Sequence, residues 1–345
     1  MSLWREVCEQ PAVVDRLLGT QLAAARQIAA SVRAAGVQWV MIAARGSSDN
    51  AALYAQYVWG GRNGLAVAMA TPSLFTVYGS PPRLAGALVV GISQSGQSPD
   101  IRGVIAEARR QGSPTLVITN EPGSPLAAEA DMVLATGAGP ELAIAATKTY
   151  TSQLAAIAML SAALREDEDG FAALRRLPEA MQSSLDGAPA VADLAWRHRA
   201  MARCVVLGRG FHYATACEWA LKLEELTYVM AEPWSAADFR HGPMAMAGRE
   251  LTVLAVAPGG AVHRDVMALL SSLVAERGVE LVALSDEEDA LALAGTPLRM
   301  PAGVPEWLSP IAGIVPAQVF CYELARAMGR DTEAPRGLSK VTRTW

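Results

Sequence analysis

Apolar residues in this chain come in short blocks separated by longer amphipathic stretches. Residues 37–43 (VQWVMIA), 88–93 (LVVGIS), 115–119 and 132–135 are such blocks. They are too short for helices and are bounded by Gly, Ser and Pro, so they predict buried strands. The stretches between them carry helix signals. Residues 1–34 are expected to be helical: 13–35 is rich in Ala, Leu, Arg and Gln, and Gly36 closes it. A second helix is expected over 50–59 and another over 147–164. Ser98 is placed to cap a helix that has Pro99 at its first position and Gly112 at its end. Strands alternating with helices predict an α/β fold, a parallel sheet with helices on both faces.

The pattern then recurs. Residues 203–207 lead into Gly208-Arg209-Gly210 as 37–43 lead into Ala44-Arg45-Gly46. Gly46 and Gly210 lie 164 residues apart, and so do Ser93 and Ala257, which end the second strand of each set. Residues 279–285 and 298–300 follow in the order of 115–119 and 132–135. Four elements in one order at one offset predict an internal duplication. The expected organisation is a helical segment at 1–34, a first domain at 35–170, a connector at 171–199 and a second domain at 200–345.

The halves differ after their second strands. The first has Ser93-Gln94-Ser95-Gly96-Gln97-Ser98, and the second has Ala257-Pro258-Gly259-Gly260. Hydroxyls and backbone N–H groups at a helix start bind phosphate without a cation, whereas proline has no N–H. One phosphate site is therefore expected, in the first half. It would use Ser48 from one strand-to-helix loop and Ser93, Gln94, Ser95 and Ser98 from the next, where the switch-point rule puts ligands. The competing reading is that serine-rich turns are only turns.

The second half holds the stretch CEWALKLEELTYVMAEPWSAADFRHGP, residues 217–243. It starts as a helix with Glu218, Lys222 and Glu225 on one face. Such a triple is either a solvated face held by i,i+4 pairing or a set of working groups. Lysine usage favours the second reading. Of 29 basic residues only Lys148, Lys222 and Lys340 are lysines. Lysine can lose its proton when desolvated and can form an imine, and arginine can do neither. His241 precedes Gly242-Pro243 and so lies in a turn, where a general acid or base is easily exposed.

Composition narrows the class. The chain is 52% hydrophobic and 18% charged, which fits a globular fold. The net charge of −5 without a basic tract argues against nucleic acid. Four scattered cysteines read as reduced thiols of a cytoplasmic protein. No metal-ligand spacing, signal peptide or membrane span is evident.

Taken together, these motifs resemble the isomerase part of glucosamine-6-phosphate synthase and related tandem sugar isomerase (SIS) domain proteins. The resemblance rests on Glu9-Gln10-Pro11, Arg45-Gly46-Ser47-Ser48, Ile92 to Gly96, Ala138-Gly139-Pro140-Glu141 with Thr147-Lys148, Gly208-Arg209-Gly210, Glu218 to Tyr228, His241-Gly242-Pro243 and Pro335 to Lys340. It implies two flavodoxin-like SIS domains, a tight homodimer with shared active sites, and no metal or organic cofactor. By position, Ser48, Ser93, Gln94, Ser95 and Ser98 would hold a sugar phosphate, and Gly46, Ser47, Glu141 and Ile144 would line the sugar. Glu225 would move a proton between C1 and C2, supported by Glu218 and Lys222. His241 of the neighbouring subunit would open the ring. Lys340 would reach the sugar from the tail, docked by the Pro335–Leu338 turn and its apolar leucine. The synthase also has a glutaminase domain whose first residue after Met is a nucleophilic Cys. Here Met1 is followed by Ser2, and the first SIS domain begins within about 35 residues. The expected reaction is therefore release of ammonia from an amino sugar phosphate. Plain isomerisation, use of external ammonia and deglycation of a sugar-phosphate adduct need the same groups. A sugar-phosphate sensor would need only the phosphate site, so retention of Glu225, His241 and Lys340 favours an enzyme.

Overall fold

The computed structural model describes residues 2–340, so the tail beyond Lys340 lies outside the described residues. The chain forms two compact units. Among the described residues the N-terminal unit comprises 12–142, 148–176 and 339–340. Its elements are α1 (Ser2–Ala34, from residue 12 on), β1 (Trp39–Ala43), α2 (Ser47–Asn63), β2 (Ala66–Met69), α3 (Pro72–Thr76), β3 (Ala87–Ser93), α4 (Pro99–Arg110), β4 (Thr115–Thr119), α5 (Pro125–Ala128), β5 (Met132–Ala135), α6 (Lys148–Arg165) and α7 (Glu168–Leu174). The five strands pair in parallel in the order β2-β1-β3-β4-β5. The chain leaves β1 toward one edge and β3 toward the other, so the topological switch lies between β1 and β3.

The C-terminal unit comprises residues 2–11, 143–147 and 177–338. Its elements are α8 (Leu177–Asp186), α9 (Ala188–Arg197), β6 (Arg203–Gly208), α10 (Tyr213–Thr227), β7 (Met230–Ser235), α11 (Ala236–Phe239), β8 (Thr252–Val256), α12 (His263–Ser272), β9 (Glu280–Ser285), α13 (Glu288–Leu293), β10 (Thr296–Arg299) and α14 (Ser309–Ala327). Its parallel sheet, β10-β9-β8-β6-β7, repeats the first topology with a switch between β6 and β8. The duplication extends to side chains and backbone. Arg45 pairs with Asp100 in one unit and Arg209 with Asp265 in the other. Gly46 and Gly210 both take positive φ, 56° and 61°.

The central strands β3, β4 and β8 are buried along their whole length, as apolar runs in a doubly covered sheet must be. The edge strands β2 and β7 are absent from the sequence pattern. β2 is only half-buried, and β7 exposes Met230 and Glu232 and carries Pro233, so neither has a continuous apolar signature. Ser98 does sit at the N-cap of α4, but its hydroxyl makes no capping bond.

Pro11 lies inside α1. It cannot donate to the carbonyl of Val7, one turn back. Gln10 Nε2 donates to that carbonyl instead at 3.0 Å, and also to Gln318 Oε1 of α14 at 2.8 Å. The last residue of α1 assigned to the C-terminal unit is this proline.

Helices α10 and α14 pack tightly, with Trp219 edge-on to Phe320 at 5.9 Å and both fully buried. His212, just before α10, belongs to the same layer. Its Nε2 lies 2.6 Å from Ser309 Oγ, at the start of α14, and its Nδ1 3.2 Å from Thr215 Oγ1. Burial lowers its pKa from 6.5 to about 3. Below pH 6.5 the unfolded chain takes up a proton here that the folded chain refuses. The contribution of neutral His212 is therefore complete above that pH and is lost progressively down to about pH 3. Urea unfolding between pH 6 and 4 should show stability falling by about 1.4 kcal/mol per pH unit from this group. The pH slope of His212→Asn should be shallower by about one proton; equal slopes would exclude His212 as the titrating group.

Candidate active site

Two loops follow β1 and β3, whose ends lie side by side in the register Ala43 to Gly91. The first carries Gly46, Ser47 and Ser48, and the second carries Ser93, Gln94, Ser95 and Ser98. Three hydroxyls here share one arrangement. Ser93 Oγ accepts from Gly96 N–H at 3.0 Å, Ser95 Oγ from Gln97 N–H at 3.3 Å, and Ser48 Oγ from Gln153 Nε2 at 3.0 Å. A hydroxyl has one proton and two acceptor positions. An oxygen that accepts from the protein keeps its proton for a ligand, which suits an acceptor-only anion. Gly96 is required in its loop: its φ is 61°, and a Cβ there would fall 2.0 Å from Ser124 Oγ.

The corresponding loop of the C-terminal unit is arranged differently. Gly259 N–H donates to Asp286 Oδ1 at 2.9 Å and Ala261 N–H to Glu306 Oε2 at 3.2 Å. The chain's own carboxylates take the donors that an anion would need.

Glu141 lies in the loop after β5, which Asn120 holds by accepting from Ala138 N–H at 2.7 Å and donating to Gly139 O at 2.9 Å. The Glu141 side chain is fully buried. It accepts from Thr149 N–H at 3.1 Å, Thr149 Oγ1 at 2.7 Å and Lys340 Nζ at 2.7 Å. Two residues read from the sequence as sugar-lining and catalytic thus form an ion pair. Ile144 belongs to the C-terminal unit and is half-buried.

On α10 the solvated-face reading fails. Lys222 is 1% exposed and Glu218 0%. Lys222 Nζ donates to Glu225 Oε2 and lies 3.5 Å from Glu218 Oε1. Of the three side chains only Glu225 reaches solvent, at 22% exposure. Burial pushes the Cys321 thiol well up, against the opposing pull of Lys222, so the sulfur stays protonated. His241 is exposed on the turn after α11, its backbone N–H bonded to Asp238 O.

The turn before Lys340 is docked, though not by its leucine, since Leu338 is 44% exposed. Tyr228, in the left-handed conformation at the end of α10, holds it instead. Its hydroxyl accepts from Arg336 N–H at 2.9 Å, and the guanidinium groups of Arg336 and Arg330 lie 4.3 and 5.0 Å from its ring. Among the described residues no three or more His, Cys, Asp or Glu side chains cluster as a metal site, and no helix is long and apolar enough to cross a membrane.

The SIS domain family matches residues 37–163 and 199–328, one copy over each sheet. The chain belongs to the SIS domain family. As a tandem SIS protein it is 33% identical to a glutamine–fructose-6-phosphate aminotransferase (isomerizing) of Thermus thermophilus, over 97% of this chain and 58% of that protein. The chain thus spans little more than half the length of the curated relatives it matches. The C-terminal domain of glucosamine-fructose-6-phosphate aminotransferase from Francisella tularensis has the same fold (TM-score 0.87, 24% identity, 97% of this chain and 98% of that one). A candidate phosphosugar isomerase from Silicibacter pomeroyi superposes with TM-score 0.88 at 32% identity, over 96% of this chain and 99% of that one.

Sequence reasoning passed over Gln153, Thr149, Tyr228 and the Arg45–Asp100 pair. Gln153 had a signal, as a lone amide in the otherwise apolar or small-residue run of α6. Tyr228 had none, because a non-glycine residue with positive φ leaves no mark in the sequence.

The buried triple makes a stability prediction. Lys222→Met removes the ammonium and leaves the Glu218 carboxylate in the interior, so urea unfolding should show a loss of about 3–5 kcal/mol. A loss below about 1 kcal/mol would mean that the carboxylates are neutral or solvated.

Proposed function

We propose that this SIS protein interconverts phosphorylated sugars, and that its reaction is deamination of a hexosamine 6-phosphate of the glucosamine-6-phosphate kind. The observation that carries the reading is the triple on α10. It holds one solvent-reaching carboxylate, Glu225, fixed by a buried ammonium that a second carboxylate balances. A proton shift between adjacent carbons needs such a base, held in one rotamer and open to substrate.

In this reading Ser48, Ser93, Gln94, Ser95 and Ser98 hold the phosphate, and Gly46, Ser47, Glu141 and Ile144 line the sugar. His241 moves the proton that opens the ring. Glu225 takes the proton from C2 and returns it to C1, which leaves an imine at C2. Water adds at that carbon and ammonia departs, giving a ketose phosphate. One water is consumed for each ammonia released. The Lys340 ammonium neutralises the developing enolate oxygen, or its amine forms an imine with the open-chain carbonyl. The 33% identity to aminotransferases supports a second reading, in which the same groups run toward the amino sugar with ammonia supplied.

Ammonia release should be assayed with glucosamine-, N-acetylglucosamine- and galactosamine-6-phosphates, and the reverse direction with fructose-6-phosphate plus ammonia. Glu225→Gln should lose about 10²–10⁴-fold in kcat while still binding sugar phosphate. Lys340→Arg keeps the charge but not the imine chemistry and should lose at least about 100-fold, a barrier increase of about 2.7 kcal/mol. Wild-type turnover in Lys340→Arg would exclude an essential imine, and wild-type turnover in Glu225→Gln would sink the proton-shift assignment.

The proposal includes a homodimer in which His241 of one copy serves the other. Mixing inactive Glu225→Gln with inactive His241→Asn should then restore activity, because hybrid dimers regain one complete site. A monomer in sedimentation, or no rescue after confirmed subunit exchange, would refute the sharing.

A further inference from the structure

Ser93 and Ser95 have their oxygens held by N–H groups of their own loop, but Ser48 does not. The backbone N–H groups around it are committed to their own turn: Ser48 N–H to Arg45 O at 3.1 Å, and Asp49 and Asn50 N–H to Gly46 O at 2.9 and 3.1 Å. The donor to Ser48 Oγ comes from elsewhere in the chain, from Gln153 on α6, 3.0 Å away. Gln153 is 2% exposed, in a helix buried from Lys148 to Ala163. Only the donor half of its amide is used, since Oε1 is buried without a hydrogen-bond partner. An unsatisfied buried carbonyl is unfavourable. A glutamine kept only for packing would be better replaced by an apolar side chain. Its donor half is the part that has a task.

We infer that Gln153 is a positioning residue of the phosphate site, which directs the Ser48 proton to the ligand by occupying an acceptor position on its oxygen. Gln153 does for Ser48 what the loop backbone does for Ser93 and Ser95. The site then presents three hydroxyls as donors, a surface selective for a phosphate monoester over an uncharged sugar hydroxyl, which both donates and accepts. The inference rests on the phosphate reading of these loops, and the experiment separates the two.

Binding of inorganic phosphate and of fructose-6-phosphate is measured by calorimetry for wild type, Ser48→Ala, Gln153→Met and the double variant, with thermal unfolding as a check on the fold. Ser48→Ala should weaken binding by about tenfold, as expected for a hydrogen bond to a charged group. Gln153→Met should weaken it by about three- to tenfold. The double variant should bind as Ser48→Ala does, because Gln153 acts only through that hydroxyl. Additive losses would overturn the inference, as would wild-type affinity in Gln153→Met. Gln153→Glu is a second variant of the same shape that can only accept. As a carboxylate it should accept the Ser48 hydroxyl's hydrogen bond and weaken binding at least as much as Gln153→Met, and wild-type affinity in it would also overturn the inference. If Ser48→Ala binds normally while Ser93→Ala with Ser95→Ala does not, the phosphate reading stands and the inference falls. If neither serine change affects binding, both fall.

Discussion

An ammonium group in a protein interior must be matched by negative charge close by, because water is not there to do it. Lys222 sets this requirement for the C-terminal unit. Its carboxylate partners lie three and four residues away on the same helix, so α10 neutralises its own buried charge within one turn. This local pairing lets α10 pack against α14, with Trp219 on Phe320 and, just before the helix, His212 on Ser309. It also leaves Glu225 as the one member of the triple at the surface, held by a partner that cannot move into solvent. Glu218 and Lys222 are thereby structural first, and any catalytic use of Glu225 rests on that rigidity.

The two units start from the same sheet order, the same Arg–Asp pair and the same positive-φ glycine, and differ in what the loop after the third or eighth strand faces. In one, hydroxyl oxygens accept from N–H groups. In the other, Asp286 and Glu306 accept from them. Duplication supplied two equivalent places for an anion, and side chains of the second unit came to fill one of them. The asymmetry needs no change of fold, only an exchange of serines for glycine and proline together with carboxylates placed on neighbouring loops.

Much of this was legible in the sequence because the central strands are buried on both faces and so read as continuous apolar runs. Residues 115–119 coincide with the central strand β4, residues 132–135 coincide with β5, an edge strand that is apolar although only Leu134 is buried, and the duplication follows from spacing alone. The edge strands β2 and β7 were not legible, since Ala231 alone among their residues is buried and nothing forces the others to be apolar. At the site, residue type carried the signal. Three lysines among many arginines proved to be two buried residues and one half-buried, ion-paired residue. The partners of Lys222 lie on its own helix and were legible, whereas those of Lys340 and Ser48 were not, because Glu141 stands 199 residues from Lys340 and Gln153 stands 105 from Ser48. Contacts that distant depend on the whole topology. The tail was expected to dock by apolar burial of Leu338 and docks instead by arginine on an aromatic face. A Pro-Arg-Gly-Leu string contains both possibilities.

Tyr228 therefore acts as a mooring. With Arg336 held on its ring and hydroxyl, Lys340 is the fourth residue along the chain from the fixed point. Four residues at full extension span about 14 Å. The Lys340 backbone is thus confined to a sphere of about that radius around Arg336, whether or not its ammonium is on Glu141. An amine on so short a leash meets any group within that sphere at an effective concentration far above that of a free lysine in solution, and it does so without a folded element of its own.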